Sequence, residues 1–244
     1  MDLQGKAALV TGGGVRVGRA LALALAGAGC DVVVHYNRSA GPAEATREEA
    51  ERLGAVAHAL GADLADPAAA EGLVAAAVER CGRLDVLVNS AAIFPPGDTL
   101  ERSGAAEFDE LIAVNLRAPY LLSRAFAAAH RPGVPGRILN LLDARVRRPG
   151  ADHPVYRLTK RGLWALTENL ALALAPDITV NAVALGAILP PPGEDETYLE
   201  RLAAERVPLR RPGSPAIVAE NVLHLLRQDF VTGAVVALDG GQFL

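Results

Sequence analysis

Lysine is almost missing from this 244-residue chain: Lys6 and Lys160 are the only two, although lysine and arginine together number 24. Cysteine is as scarce, with Cys30 and Cys81 isolated from one another and each beside a glycine at the end of a predicted helix. That setting predicts small structural residues and not a disulfide framework. The five histidines, His35, His58, His130, His153 and His224, show no HExxH or other metal-ligand spacing, so no metal site is expected. A formal charge of −4 without a clustered basic face gives no footprint for nucleic acid or an anionic membrane. No apolar run approaches membrane-spanning length, and "MDLQGKAALVTGGG" lacks a basic segment followed by an apolar one, so a cytoplasmic protein with small-molecule partners is expected. Neither a Ser-, Pro- or Gly-rich linker nor an internal repeat divides the chain, which predicts one domain over 1–244.

What is present is alternation. Hydrophobic residues make up 51% of the sequence. They form short Val-, Leu- and Ile-rich runs at 6–11, 31–36, 55–60, 84–89, 136–142, 178–184 and 234–239. Between them lie helical stretches at 17–28, 42–53, 67–80, 105–129, 155–175 and 215–227. Strands apolar throughout need both faces covered, so the pattern predicts an α/β fold, a Rossmann-type doubly wound parallel sheet of about seven strands between helix layers. The least regular stretch, 185–215, contains "LPPPGEDETYLERLAAER", three prolines before an acidic helix start and a short amphipathic segment. An excursion there between the last two strands predicts a lid, about 186–208, over a bound ligand.

The first strand runs into "TGGGVRVGRALALALA", glycines at a strand-to-helix turn where backbone N–H groups can approach a pyrophosphate. GxGxxG is not met strictly, because the third glycine counted from Gly12 would fall at Val17. After the second strand, where an acidic residue would bind a ribose 2′-hydroxyl, the chain has "HYNRSA". Arg38 offers a planar cation and Ser39 a hydroxyl donor, which favours a 2′-phosphate and predicts NADPH/NADP+ as cofactor.

Tyr156 and Lys160 stand one helical turn apart, and Asp143 lies thirteen residues before the tyrosine. An ammonium beside a phenol favours the phenolate, so Lys160 is expected to bring Tyr156 from a pKa of about 10 toward a working acid at neutral pH.

The motifs "TGGGVRVG" (11–18), "ADL" (62–64), "LVNSAA" (87–92), "VNL" (114–116), "YRLTK" (156–160), "VNAVALG" (180–186) and "FVTGAVVALDGG" (230–241) follow one another in the order of the short-chain dehydrogenase/reductase family, which the chain resembles along almost its whole length. The resemblance implies that Tyr156 donates a proton while NADPH delivers hydride, that Lys160 binds the nicotinamide ribose, and that Asn115 supports a proton relay. It implies Asp63 on the adenine and Asn89 beside the adenosine ribose. It also implies that the cofactor lies against Gly12, Arg16, Val17, Gly18, Tyr36, Asn37, Arg38, Ser39, Leu64, Ser90, Ala91, Gly186 and Ile188. Such proteins usually form homotetramers through the helices at 105–129 and 155–175 and the C-terminal strand, with a dimer as the alternative.

The departures from the family pattern are specific. Arg16 stands where a loop glycine is usual, Asp143 replaces the serine that polarises the substrate, and Leu185–Gly186 replaces Pro-Gly. Arginine in the loop, "HYxRS" and aspartate for serine occur together in the pteridine reductases and the similar dihydromonapterin reductases. This implies reduction of a pterin or dihydropterin C=N bond, with Arg16, Phe94, Asp143 and Tyr156 on the substrate and Phe94 stacking the ring. Two alternatives remain: reduction of a ketone such as a 3-oxoacyl thioester, which an anion near the carbonyl oxygen would oppose, and a non-catalytic NADP(H)-binding protein.

Overall fold

The structure is a computed structural model that describes residues 1–95, 97–191 and 193–244. Pro96 and Pro192, the second within the predicted lid, lie outside the described residues. Seven parallel strands form one sheet: β1 (Ala7–Val10), β2 (Asp31–Tyr36), β3 (Ala57–Gly61), β4 (Val86–Asn89), β5 (Gly136–Asp143), β6 (Ile178–Leu185) and β7 (Val235–Leu238). Their spatial order is β3-β2-β1-β4-β5-β6-β7, so the chain reverses its direction of growth between β1 and β4. In an open α/β sheet that reversal leaves a crevice beyond the strand ends.

Alternation along each strand feeds two cores. Ala8, Val10, Val32 and Val34 face helices α1 (Arg16–Gly27), α2 (Ala40–Arg52) and α8 (Pro215–Arg227), while Leu9, Val33, Leu87 and Ile138 face α3 (Pro67–Cys81) and α5 (Ala118–Ala129). Each fully buried Leu, Val or Ile adds about 1.5–3 kcal/mol to this packing. The central strands are buried along their length, but β7, at the sheet edge, is only half-buried.

Helix ends follow the sequence signals. Asp66 caps α3 through the N–H of Ala68, with Pro67 in the first turn and Gly82 closing the helix at φ 72°. Ser214 caps α8 through Ile217 N–H.

The structure corrects the expected elements in one place. The single helix expected over 105–129 is α4 (Ala105–Ile112), a π-helical turn at Ala113–Arg117, and α5. The reason lies in Asn115, whose amide is taken up by the backbone of Ile93. In the least regular stretch the acidic helix start is found as expected: α7 (Glu196–Arg206) begins with Asp195 accepting from Tyr198 N–H. Cys30 lies in the turn before β2 and Cys81 ends α3, and burial pushes their thiols up to about 12 and about 11. Both are thereby kept as unreactive thiols.

Candidate active site

The strand ends open into a cavity of about 780 Å³, within the range of small-molecule sites. One end of it is the turn after β1. Thr11 Oγ1 accepts from the N–H groups of Ser90 and Ala91, joining β1 to β4 at the crevice. Gly12 has φ +64°, open to glycine, and a Cβ there would meet Ala91 Cα at 3.1 Å. A Cβ on Gly18 would sit 2.2 Å from Gly12 O, so this helix residue must be glycine for the loop to close on α1. Helix α1 starts with no side-chain cap and no acidic residue in its first turn, which leaves N–H groups and the positive end of the helix dipole for an anion.

Arg16 occupies the left-handed region at φ 52°, the physical reason a glycine is the usual residue there. Its guanidinium donates to Pro190 O at 2.8 Å, tying the glycine loop to the segment after β6. Val17, Tyr36, Asn37, Arg38 and Ser39 continue the wall, with Leu64, Ser90 and Ala91 beside them. Arg38 is exposed and carries no ion pair among the described residues, so its charge is free for a phosphate. Gly186 and Ile188 close the far side, and Tyr198, Leu199 and Leu202 of α7 roof it. An uncapped helix start, a glycine contact that no Cβ could enter and an unpaired arginine at the second strand are the features a dinucleotide phosphate requires.

Three expected residues lie off the cavity wall. Asp63 is exposed and its carboxylate accepts from Ala65 N–H. Asn89 is buried, donates to Asn140 Oδ1 at 2.8 Å, and keeps a buried Oδ1 without a partner among the described residues. Asn115 is fully buried; it accepts from Ile93 N–H and donates to Ile93 O, and its amide is 3.4 Å from Thr159 Oγ1. It therefore fixes the loop that carries Phe94.

Tyr156, Lys160 and Asp143 meet on the cavity floor. They stand on α6 (Pro154–Ala173) and the last residue of β5. Tyr156 Oη donates to Asp143 Oδ2 at 3.4 Å. Asp143 also accepts from Arg145 N–H at 2.8 Å and from its guanidinium at 3.3 Å, at the start of a 3₁₀ turn, Ala144–Arg147. Lys160 is buried and donates to Leu141 O at 2.9 Å; burial lowers its pKa to about 8, against the attraction of Asp143.

In the protein alone the Tyr156 phenol is shifted up and not down. Burial pushes the phenol well above its ordinary pKa, the Asp143 charge adds to that, and the cation that draws it down is Arg145. Lys160 Nζ lies 5.8 Å from the centre of the tyrosine ring and is engaged by a carbonyl.

Phe94 borders the same centre, packed edge-on to Tyr156 at 4.9 Å between centroids. Its ring is already stacked on His153 at 4.5 Å, so a flat substrate would have to share it. His153 precedes α6 with φ 50° and donates its N–H to Asp98 O. Asp98 itself is buried in the loop after β4, and its carboxylate accepts Tyr156 N–H at 2.9 Å and Ser103 Oγ–H at 2.7 Å. This aspartate, not a residue of α6, caps the helix that bears the phenol.

Sequence reading missed Asp98, Arg145 and His35. The His35 ring is buried, accepts Gly12 N–H at Nδ1 (3.1 Å) and donates from Nε2 to Ala62 O (3.0 Å), while its carbonyl accepts Gly13 N–H. Burial lowers its pKa, so the neutral ring holds the glycine loop. The only available signal was its place in "HYNRS", at the end of a strand beside that loop.

Comparison with known proteins agrees with this geometry. A family model described as enoyl-(acyl carrier protein) reductase matches residues 14–242. The crystal structure of FolM alternative dihydrofolate reductase 1 from Brucella canis, complexed with NADP, is 34% identical with a TM-score of 0.92, covering 100% of this chain and 96% of that one. L-rhamnose 1-dehydrogenase (NAD(P)(+)) of Sphingomonas sp. (strain SKA58) is 35% identical over 99% of this chain and 98% of its own length. Versicolorin reductase 1 of Aspergillus parasiticus is 35% identical over 99% of this chain and 97% of its own length.

Proposed function

Since the chain belongs to the short-chain dehydrogenase/reductase family and is an NAD(P)-dependent oxidoreductase of that family, we propose that it reduces the C=N bond of a pterin or dihydropterin with NADPH. The observation that carries the reading is the 3.4 Å contact of the Tyr156 hydroxyl with Asp143, in a cavity that Phe94 also lines. The likeness to a dihydrofolate reductase complexed with NADP supports it. NADPH, when bound, supplies the hydride. The whole chain acts as one cofactor-binding domain with residues 186–208 as its lid.

The chain's own residues divide the remaining work. The glycine turn and the uncapped start of α1 would hold the pyrophosphate, Arg38 and Ser39 the 2′-phosphate, and Lys160, on the cavity floor, the nicotinamide ribose. Tyr156 gives its hydroxyl proton to the substrate nitrogen. A buried phenol with a raised pKa is stable in the protonated form a donor needs. The resulting phenolate regains its proton through Asp143, whose partly exposed carboxyl reaches both the phenol and water.

Exposed Phe108, Tyr120, Leu158 and Leu172 on α4, α5 and α6 support self-association through those helices, as a homotetramer or a dimer.

A second reading, reduction of a ketone, is supported by the likeness to relatives that are not named for pterins, L-rhamnose 1-dehydrogenase (NAD(P)(+)) and versicolorin reductase 1. Against it stands Asp143, a carboxylate where negative charge would develop on a carbonyl oxygen. Replacing Tyr156 with Phe tests the shared core of both readings. Turnover should fall at least about a hundredfold while NADPH affinity stays within about twofold. Most activity surviving in the variant would remove Tyr156 as the acid.

A further inference from the structure

The serine-to-aspartate exchange at 143 leaves a carboxylate beside a buried phenol. Two anions cannot share that position at low cost once the phenol has given up its proton. Something must hold the carboxylate in place and offset its charge. Lys160 is occupied by Leu141 O, and Lys6 lies at the opposite end of β1. The group in contact is Arg145.

Arg145 is attached to Asp143 twice, its backbone N–H on Oδ1 at 2.8 Å and its guanidinium on Oδ2, the same oxygen that accepts the Tyr156 hydroxyl. Its guanidinium carbon lies 5.3 Å from the Phe94 ring centre, within cation–π range. Its Nε is 3.8 Å from Asp152 Oδ2, and its carbonyl accepts from Arg157, which is itself tied to Asp152. The side chain is thus held from three sides, yet it remains 32% exposed and forms part of the cavity wall. It is also the one cation that acts to lower the Tyr156 pKa, which agrees with this geometry.

We propose that Arg145 is a positioning residue for the proton transfer: it fixes the Asp143 carboxylate at the Tyr156 hydroxyl and compensates its charge when the phenolate forms. Arg145 meets the carboxylate and makes no hydrogen bond to the Tyr156 hydroxyl itself. It acts by keeping Asp143 Oδ2 in line with the phenol, so that the phenolate is formed and reprotonated in one orientation. The inference rests on Tyr156 as the proton donor. It does not depend on whether the substrate is a pterin or a ketone.

The test compares wild type, Arg145→Met, Arg145→Lys and Tyr156→Phe, using whichever of a dihydropterin or an acetoacetyl thioester the wild type reduces. Met keeps an apolar chain against Phe94 without the charge, and Lys restores charge without the planar fork. Readouts are kcat, its solvent deuterium isotope effect, NADPH affinity by fluorescence and the melting temperature. Arg145→Met should lower kcat by about tenfold or more, within what a positioned proton transfer contributes, and should enlarge the isotope effect. NADPH affinity and melting temperature should stay near wild type, and Arg145→Lys should recover much of kcat. Unchanged kcat and isotope effect in Arg145→Met overturn the proposal, as does an equal loss in both Arg145 variants. Retained activity in Tyr156→Phe is a separate result that removes the proton-donor reading itself.

Discussion

Removing the Asp98 carboxylate tests how the fold delivers its phenol. Asp98 is 1% exposed and lies on the loop after β4, far in sequence from the helix it serves. Its two oxygens accept from Tyr156 N–H and Ser103 Oγ–H, and Asp98→Ala loses both bonds and leaves one buried donor, the Tyr156 N–H, beside the half-buried Ser103 hydroxyl. Hydrogen bonds to charged groups contribute about 1.5–3 kcal/mol each, and a lost helix cap costs about 1 to 2. The cap is one of these same bonds, so the total is about 3 kcal/mol rather than the sum of all terms. For a chain of this size that corresponds to a melting temperature lower by roughly 6–12 °C. Asp98→Asn should be far milder, near 1 kcal/mol. Its amide oxygen can stay on Tyr156 N–H while its NH₂ turns to Ser103, whose hydroxyl can accept as well as donate. Turnover should fall with the cap, because Tyr156 sits in the first turn of α6 and a displacement of about 1 Å can cost about a hundredfold. Thermal unfolding by circular dichroism, paired with kcat, measures both. An Asp98→Ala protein that melts within about 1 °C of wild type with unchanged kcat would refute the reasoning.

Arg38→Ala should weaken NADPH by about 1.5–3 kcal/mol and leave NADH nearly unaffected, as read by fluorescence titration; equal losses for both cofactors would take Arg38 off the 2′-phosphate. His35 has a pKa below its ordinary 6.5, so the folded state takes up the proton less readily than the unfolded one. Stability is therefore kept above about pH 6.5 and falls as the pH drops below it, by at most about 1.4 kcal/mol per pH unit. His35→Gln should flatten that dependence in melting experiments, and an identical slope in the variant would assign the acid sensitivity elsewhere.

The strands were legible because β1, β2, β4, β5 and β6 are mostly buried runs rich in aliphatic residues, as a parallel sheet covered on both faces requires. The phosphate turn and the Tyr156–Lys160 pair were legible because each is local, held within one turn or one helix. What sequence did not reveal is non-local. Asp98 reaches Tyr156 across 58 positions, and nothing around "GDTL" marks it as the cap of a helix that begins at Pro154. His35 looked like one histidine among five, because its use depends on Gly12 folding back over it. The contact of Arg145 with the carboxylate beside Tyr156 is hidden for a related reason. Spacing along a helix showed that Lys160 is near, but not that a carbonyl engages it while Arg145 meets the carboxylate. The π turn escaped because Asn115 is drawn off by Ile93, a tertiary contact that overrides helix periodicity.

The most direct test of the account follows NADPH oxidation with a dihydropterin beside an acetoacetyl thioester, in wild type and Asp143→Ser. The account predicts dihydropterin turnover by wild type that collapses in Asp143→Ser, with thioester reduction weak in wild type and equal or better in the variant. Turnover of the thioester alone by wild type, lost when Asp143 becomes serine, would contradict it and place the aspartate in a ketone mechanism.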